Sequence, residues 1–279
     1  MRTEQLIAAF TLFFVIAGSM AIAQEKYQLT YKMEKGKTYR YAQDIAIISA
    51  QEVAGQDMKF SADGHNVTNF IVEDISPAGL FTVLYSYEEY RLHTKGMGKD
   101  TIMDITGMTG RRVRVEISKL GKIEKETTID SGKVEGKSIA MKFMGGLNFP
   151  VFSEKRVRIG DQWPKISIDT SNLEEGQTIT KGNVEYTLSG KETKGNYNCL
   201  RIDYKGTTET TGKLKQMGMD VVLEGNGEIS GIVWFDPSLG IMVEMQSTTT
   251  MELTMAMTGQ AQMTIPMSQK ITSKQSLLE

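Results

Sequence analysis

Along most of the chain, apolar and polar residues alternate one by one, the period of a strand with one buried face. From Thr250 to Met257 the alternation is strict, with Met251, Leu253, Met255 and Met257 at odd positions. After Gly259-Gln260 it resumes through Ala261, Met263, Ile265 and Met267. This predicts two strands of a hairpin sharing one apolar face. Val221 to Glu224 and Glu228 to Ser230 flank Gly225-Asn226-Gly227, a pairing of residues that predicts a tight turn. Asp63-Gly64-His65-Asn66 has turn composition as well. Strands are expected every ten to fifteen residues with no covering helix between them, so the chain reads as all-β and antiparallel. The polar tail after Ile271 (Thr-Ser-Lys-Gln-Ser) is expected to be loosely held.

Self-similarity organises this pattern. Lys35-Gly36-Lys37-Thr38-Tyr39 and Ile159-Gly160-Asp161-Gln162-Trp163 each place a glycine shortly before a large aromatic. Gly79 and Gly195 each separate two strand-like stretches, and Gly121 and Gly240 each close a further one. The three pairs keep their order at offsets of 116 to 124 residues, which predicts a duplication. Two related antiparallel β units follow, 24–130 and 148–279, joined by a linker, 131–147, with a short amphipathic helix around Ile139 to Met144. Either half alone would expose apolar strand faces, so the halves are expected to associate into one large curved or barrel-like sheet.

The first residues add the compartment. Arg2 precedes an apolar run that includes Leu12-Phe13-Phe14-Val15-Ile16, and Ala21-Ile22-Ala23 supplies the small-x-small pattern of a signal-peptidase site. Residues 1–23 are therefore expected to be a removed signal peptide, leaving a periplasmic or secreted protein with no transmembrane anchor. The 32 basic and 34 acidic residues nearly cancel, so no general field would attract nucleic acid. Cys199 is the single cysteine and lies in an alternating stretch, which predicts a packed thiol.

Candidate chemistry is sparse. His65 and His93 are far apart in sequence and have no neighbouring ligand at zinc spacing, so neither a metal nor a cofactor is expected. Gly132 to Ser138 is one residue short of a phosphate-binding loop. Adjacent carboxylates such as Glu73-Asp74 and Glu88-Glu89 point to opposite strand faces and cannot act as a facing pair. The compositional anomaly is methionine, with 18 in the chain. A face built from Met251, Leu253, Met255, Met257, Met263, Ile265 and Met267 suits either a packed core or an adaptable site for an apolar, lipid-like ligand. Copper(I) is a weaker third reading, because no His or Cys cluster accompanies the thioethers.

The early Gly36-x-x-Tyr39 strand, Phe149-Pro150 and Val157-Arg158-Ile159-Gly160-Asp161-Gln162-Trp163 together resemble a family of exported bacterial envelope proteins classified as a domain of unknown function. The resemblance covers most of the mature chain and rests chiefly on the Gly-Asp-x-Trp stretch. It implies a duplicated, β-rich, extracytoplasmic protein and transfers no catalytic residue. The functional readings, in order, are an envelope protein binding an apolar ligand, a structural or protein-interaction module of the envelope, and an enzyme.

Overall fold

The structure, a computed structural model, describes residues 25–53, 55–96, 98–103, 106–130, 149–173, 176–216, 219–258 and 262–278. The predicted signal peptide and linker helix lie outside these residues. The described chain is almost entirely strand: β1 (Thr38–Val53), β2 (Gln56–Ile75), β3 (Phe81–Gly96), β4 (Lys99–Met103), β5 (Arg112–Ile117), β6 (Ile123–Asp130), β7 (Gln162–Leu173), β8 (Gly176–Lys194), β9 (Tyr197–Gln216), β10 (Met219–Asp236), β11 (Ile241–Thr258) and β12 (Met263–Leu278). All twelve belong to one antiparallel sheet, ordered β6-β5-β3-β2-β1-β12-β11-β10-β9-β8-β7, with β4 pairing β3. Among the described residues β6 and β7 are its free edges, so the sheet is open rather than a closed barrel.

The two halves meet at the β1–β12 pair, whose register runs from Arg40↔Leu278 to Gln51↔Met267. This corrects the expectation of a loose tail. Residues after Ile271 form a central strand, paired with β1 on one side and β11 on the other. Their polar character follows from position, because Ser273 and Gln275 project onto a polar belt of the buried face described below.

Alternation holds where the pattern predicted it. In β1, Tyr39, Tyr41, Gln43, Ile45, Ile47 and Ser49 are buried while the intervening residues are more exposed. The strands are longer than expected, reaching 20 residues in β2 and β9. Both predicted internal turns are absent, since Asp63 to Asn66 lies inside β2 and Gly225-Asn226-Gly227 inside β10. In β10 the glycines are required by close approach. A Cβ at Gly225 would lie 2.4 Å from Leu253 Cδ2, and one at Gly227 would lie 2.7 Å from Met251 Cγ. Large side chains of β11 lie across these positions, an arrangement that lets a sheet bend toward its buried face.

One end of the buried face is plugged. Residues 27–33 and 149–157 cross it, joined to each other by the Tyr27–Val157 bridge. Tyr31 donates its backbone N–H to Lys119 at 2.8 Å, and Lys32 donates to Gly240 at 3.0 Å, which ties the β5–β6 and β10–β11 turns together. Tyr31, Phe149, Phe152 and Phe235 pack into one aromatic cluster, with Phe152 and Phe235 centroids 4.6 Å apart. Trp163 is buried at the start of β7 and stacks on Tyr186.

Candidate functional site on the buried face

Moving from the plug toward the β11–β12 hairpin, the registers place successive rows of side chains on the buried face. The first row past the aromatic plug is polar. Met245, Gln275, Gln43, Asn66 and Tyr90 stand opposite one another in turn across β11, β12, β1, β2 and β3. Gln43, Asn66 and Gln275 are all buried. Asn66 Nδ2 donates to Gln43 Oε1 at 3.0 Å, whereas Asn66 Oδ1 is buried without a hydrogen-bond partner. An acceptor left this way costs about 1–3 kcal/mol. Burial raises the pKa of Tyr90 in this row and of Tyr87 in the next row toward the plug, which keeps both phenols protonated.

The next row is small. It runs Gly231, Ser247, Ser273, Ile45, Gly64, Leu92, with Tyr204 beside Gly231 on β9. Ser247 and Ser273 hydrogen-bond through their Oγ atoms at 2.8 Å. The two glycines and two serines keep partial exposure although they belong to the buried face. They line a cavity of about 1050 Å³, whose wall also takes in the neighbouring rows from Ile232 through Lys274 and Asp44 to Arg91, and from Ser230 through Thr272 to His93.

Farther along the same face lie the predicted site residues. Register pairs Met257 with Met263, Met255 with Ile265 and Leu253 with Met267, which confirms the expected hairpin. Met251, Leu253 and Ile265 are buried, and Met255, Met257, Met263 and Met267 are half-buried. Leu223 joins Met251 and Leu253 in a cluster separate from the main core, with Met255, Met267 and Ile271 packed against it. None of the seven residues lines the cavity, which lies nearer the plug. From Ser273 to Met267 along β12 the separation is roughly 20 Å at the rise of an extended strand.

The opposite face carries charge. His65 Nδ1 lies 2.7 Å from Asp44, and His93 Nε2 is hydrogen-bonded to Asp100. Among the described residues no group of three His, Cys, Asp or Glu side chains is placed to hold a metal ion. Cys199 is buried against Trp234 and Val243, and desolvation, reinforced by the Asp236 charge, pushes its thiol up to about 11. A thiol at that pKa is a poor nucleophile. Glu244, also buried on this face, accepts from Lys194 at 2.9 Å and from Gln246 at 2.7 Å.

Gln43, Asn66, Gln275, Ser247 and Ser273 were not singled out by sequence reasoning. The available signal was a break in pattern: Gln43 interrupts the apolar series Tyr39, Tyr41, Ile45, Ile47 at a position that period two assigns to the core.

No family model matches the sequence, and no curated protein matches it. Among solved structures, the chain is similar to the crystal structure of an outer membrane channel from Pseudomonas putida F1, at 8% identity and a TM-score of 0.25, over 89% of this chain and 98% of that one. Agreement at that level is too low to assign a shared fold.

Proposed function

We propose that this is an exported binding protein of the bacterial envelope that carries an apolar, lipid-like ligand on the buried face of its sheet. The observation that carries the reading is the cavity of about 1050 Å³ reached by the small row Gly64, Ser273, Ser247 and Gly231. Its size suits a ligand site. On the same face, the half-buried methionines 255, 257, 263 and 267 offer an adaptable apolar surface beyond it. The other face argues for a carrier in water rather than a bilayer-spanning barrel. Lys205, Glu209, Lys213 and Lys215 of β9 are exposed there, and such charges are costly in a hydrocarbon band. Catalysis has the least support: the buried thiol is deactivated, and each histidine is engaged by an aspartate.

A second reading, an interaction module of the envelope, is favoured by the free edge at β7. Ile166 and Ile168 are 78% and 68% exposed on that edge strand, a surface that could accept a partner strand. Native mass spectrometry of the mature protein purified from the envelope, followed by lipid extraction, separates the two. A bound apolar molecule supports the carrier. A mass shift from a bound protein, with no extractable lipid, supports the module.

A further inference from the structure

We infer that the amide row of Gln43, Asn66 and Gln275 receives the polar end of the ligand, and that this end is an uncharged hydrogen-bond donor such as a hydroxyl or an amide N–H. This rests on the carrier reading above and narrows the ligand to a neutral-headed amphiphile.

The row is a polar belt between a packed aromatic plug and the small-residue belt that reaches the cavity. Within it, the bonding is unequal. Gln43 Oε1 accepts from Asn66 Nδ2 at 3.0 Å, so the two amides are set in complementary orientation. That leaves Asn66 Oδ1 as a buried acceptor with no partner, on a residue 2% exposed. Gly64, two residues away on β2 and facing the same way, lines the cavity. Gln43, Asn66 and Gln275 are not themselves part of the cavity wall; they lie one row deeper, behind the small row of Ile45, Gly64 and Ser273 that is. A donor entering from the cavity would satisfy the orphaned oxygen.

Charge decides the class of head group. The row itself holds amides and a phenol. The buried-face rows on either side hold Tyr41, Thr68 and Tyr87 toward the plug, and Ser247, Ser273, Ile45, Gly64 and Leu92 toward the hairpin. No lysine, arginine or histidine is among them; Lys274, Arg91, His65 and His93, which the cavity wall also takes in, alternate to the opposite face and pair there with Glu244, Glu89, Asp44 and Asp100. A carboxylate or phosphate brought here would be desolvated without a counter-charge, which costs far more than one hydrogen bond returns. A hydroxyl or amide head carries no such penalty.

The test uses delipidated mature protein and two probes with the same acyl chain, 1-monooleoylglycerol and oleate, with binding measured by titration calorimetry at a pH where oleate is ionised. The wild type should bind the glyceride at least tenfold more tightly. Asn66→Leu, which keeps the branched shape but removes the orphaned acceptor together with the donor to Gln43, should weaken glyceride binding roughly 5- to 15-fold, the weight of one neutral hydrogen bond, with a cooperative thermal melt showing that the variant is folded. Equal binding of the two probes, or glyceride binding unchanged in Asn66→Leu, would overturn the amide-row assignment while leaving the carrier intact. Failure of the wild type to bind either probe would sink the carrier reading, and this one with it.

Discussion

The Glu244 carboxylate, with 8% of its side chain exposed, lies 2.9 Å from the Lys194 ammonium, which itself sits 3.9 Å from the centre of the Trp234 ring. Trp234 Nε1 in turn donates to Glu192 at 2.6 Å. Three strands, β8, β10 and β11, are tied on the charged face by this chain of contacts. Burial pushes the Glu244 carboxyl up, but hydrogen bonds from Lys194 and Gln246 and the charges of Lys194 and Lys274 outweigh it and leave the pKa below 4.5.

A carboxyl depressed by folding stabilises the protein above its unfolded pKa and loses that contribution as pH falls through the folded value. Glu244→Gln should therefore cost about 1–3 kcal/mol at neutral pH. The gap to wild type should close as pH drops from about 4.5 downward. Urea unfolding at several pH values measures it. A gap independent of pH would mean that the side chain acts by shape alone.

Gly231 should resist any side chain. A Cβ there would lie 2.1 Å from Gln246 O and 2.5 Å from the Tyr204 ring. Gly231→Ala is expected to destabilise by about 1–3 kcal/mol through forced displacement of the ring or strand. Gly190→Ala, where nothing lies within 4 Å, should stay within about 0.5 kcal/mol of wild type. Thermal melts of the pair make the comparison.

The plug depends on Phe235, which is fully buried against Tyr31 and Phe152. Phe235→Ala should cost about 3–5 kcal/mol. Because residues 27–33 lean on that ring, limited proteolysis should cut near them earlier in the variant than in wild type.

The methionine face can be separated from the fold. Met255 and Met267 are half-buried, so Met255→Lys or Met267→Lys should leave the melting temperature close to wild type, the lysine stem covering apolar surface with its ammonium in water. Either change should reduce the fraction of protein carrying a co-purifying apolar ligand in native mass spectra, and Met→Leu should preserve it. Retention of the ligand by both lysine variants would confine binding to the cavity nearer the plug.

Much of the fold is legible in the chain because β structure writes itself with a period of two. The strict alternation from Met251 to Met267 specified both strands of β11–β12 and their shared face, and the structure pairs them as that face requires. Six glycines matched across the halves, 36 with 160, 79 with 195 and 121 with 240, all adopt positive φ in turns beside strands. Local composition misled where a glycine served a neighbour rather than its own backbone. Gly225-Asn226-Gly227 has the chemistry of a turn, but Leu253 and Met251 need the space it leaves, and that need is invisible from β10 alone.

The sequence by itself determined the strand class, the faces and the central hairpin, since these depend on neighbours one to twenty residues apart. Only the tertiary structure decided that Gln43, Asn66 and Gln275 form one row, that Ser247 and Ser273 meet Gly64 and Gly231 beside a cavity, and that the polar C-terminal segment closes the centre of the sheet. The physical reason is register. Strands from the two ends of the chain, more than two hundred residues apart, settle side by side through backbone hydrogen bonds that carry no residue identity, and which side chains then meet depends on how the whole sheet buries its apolar face.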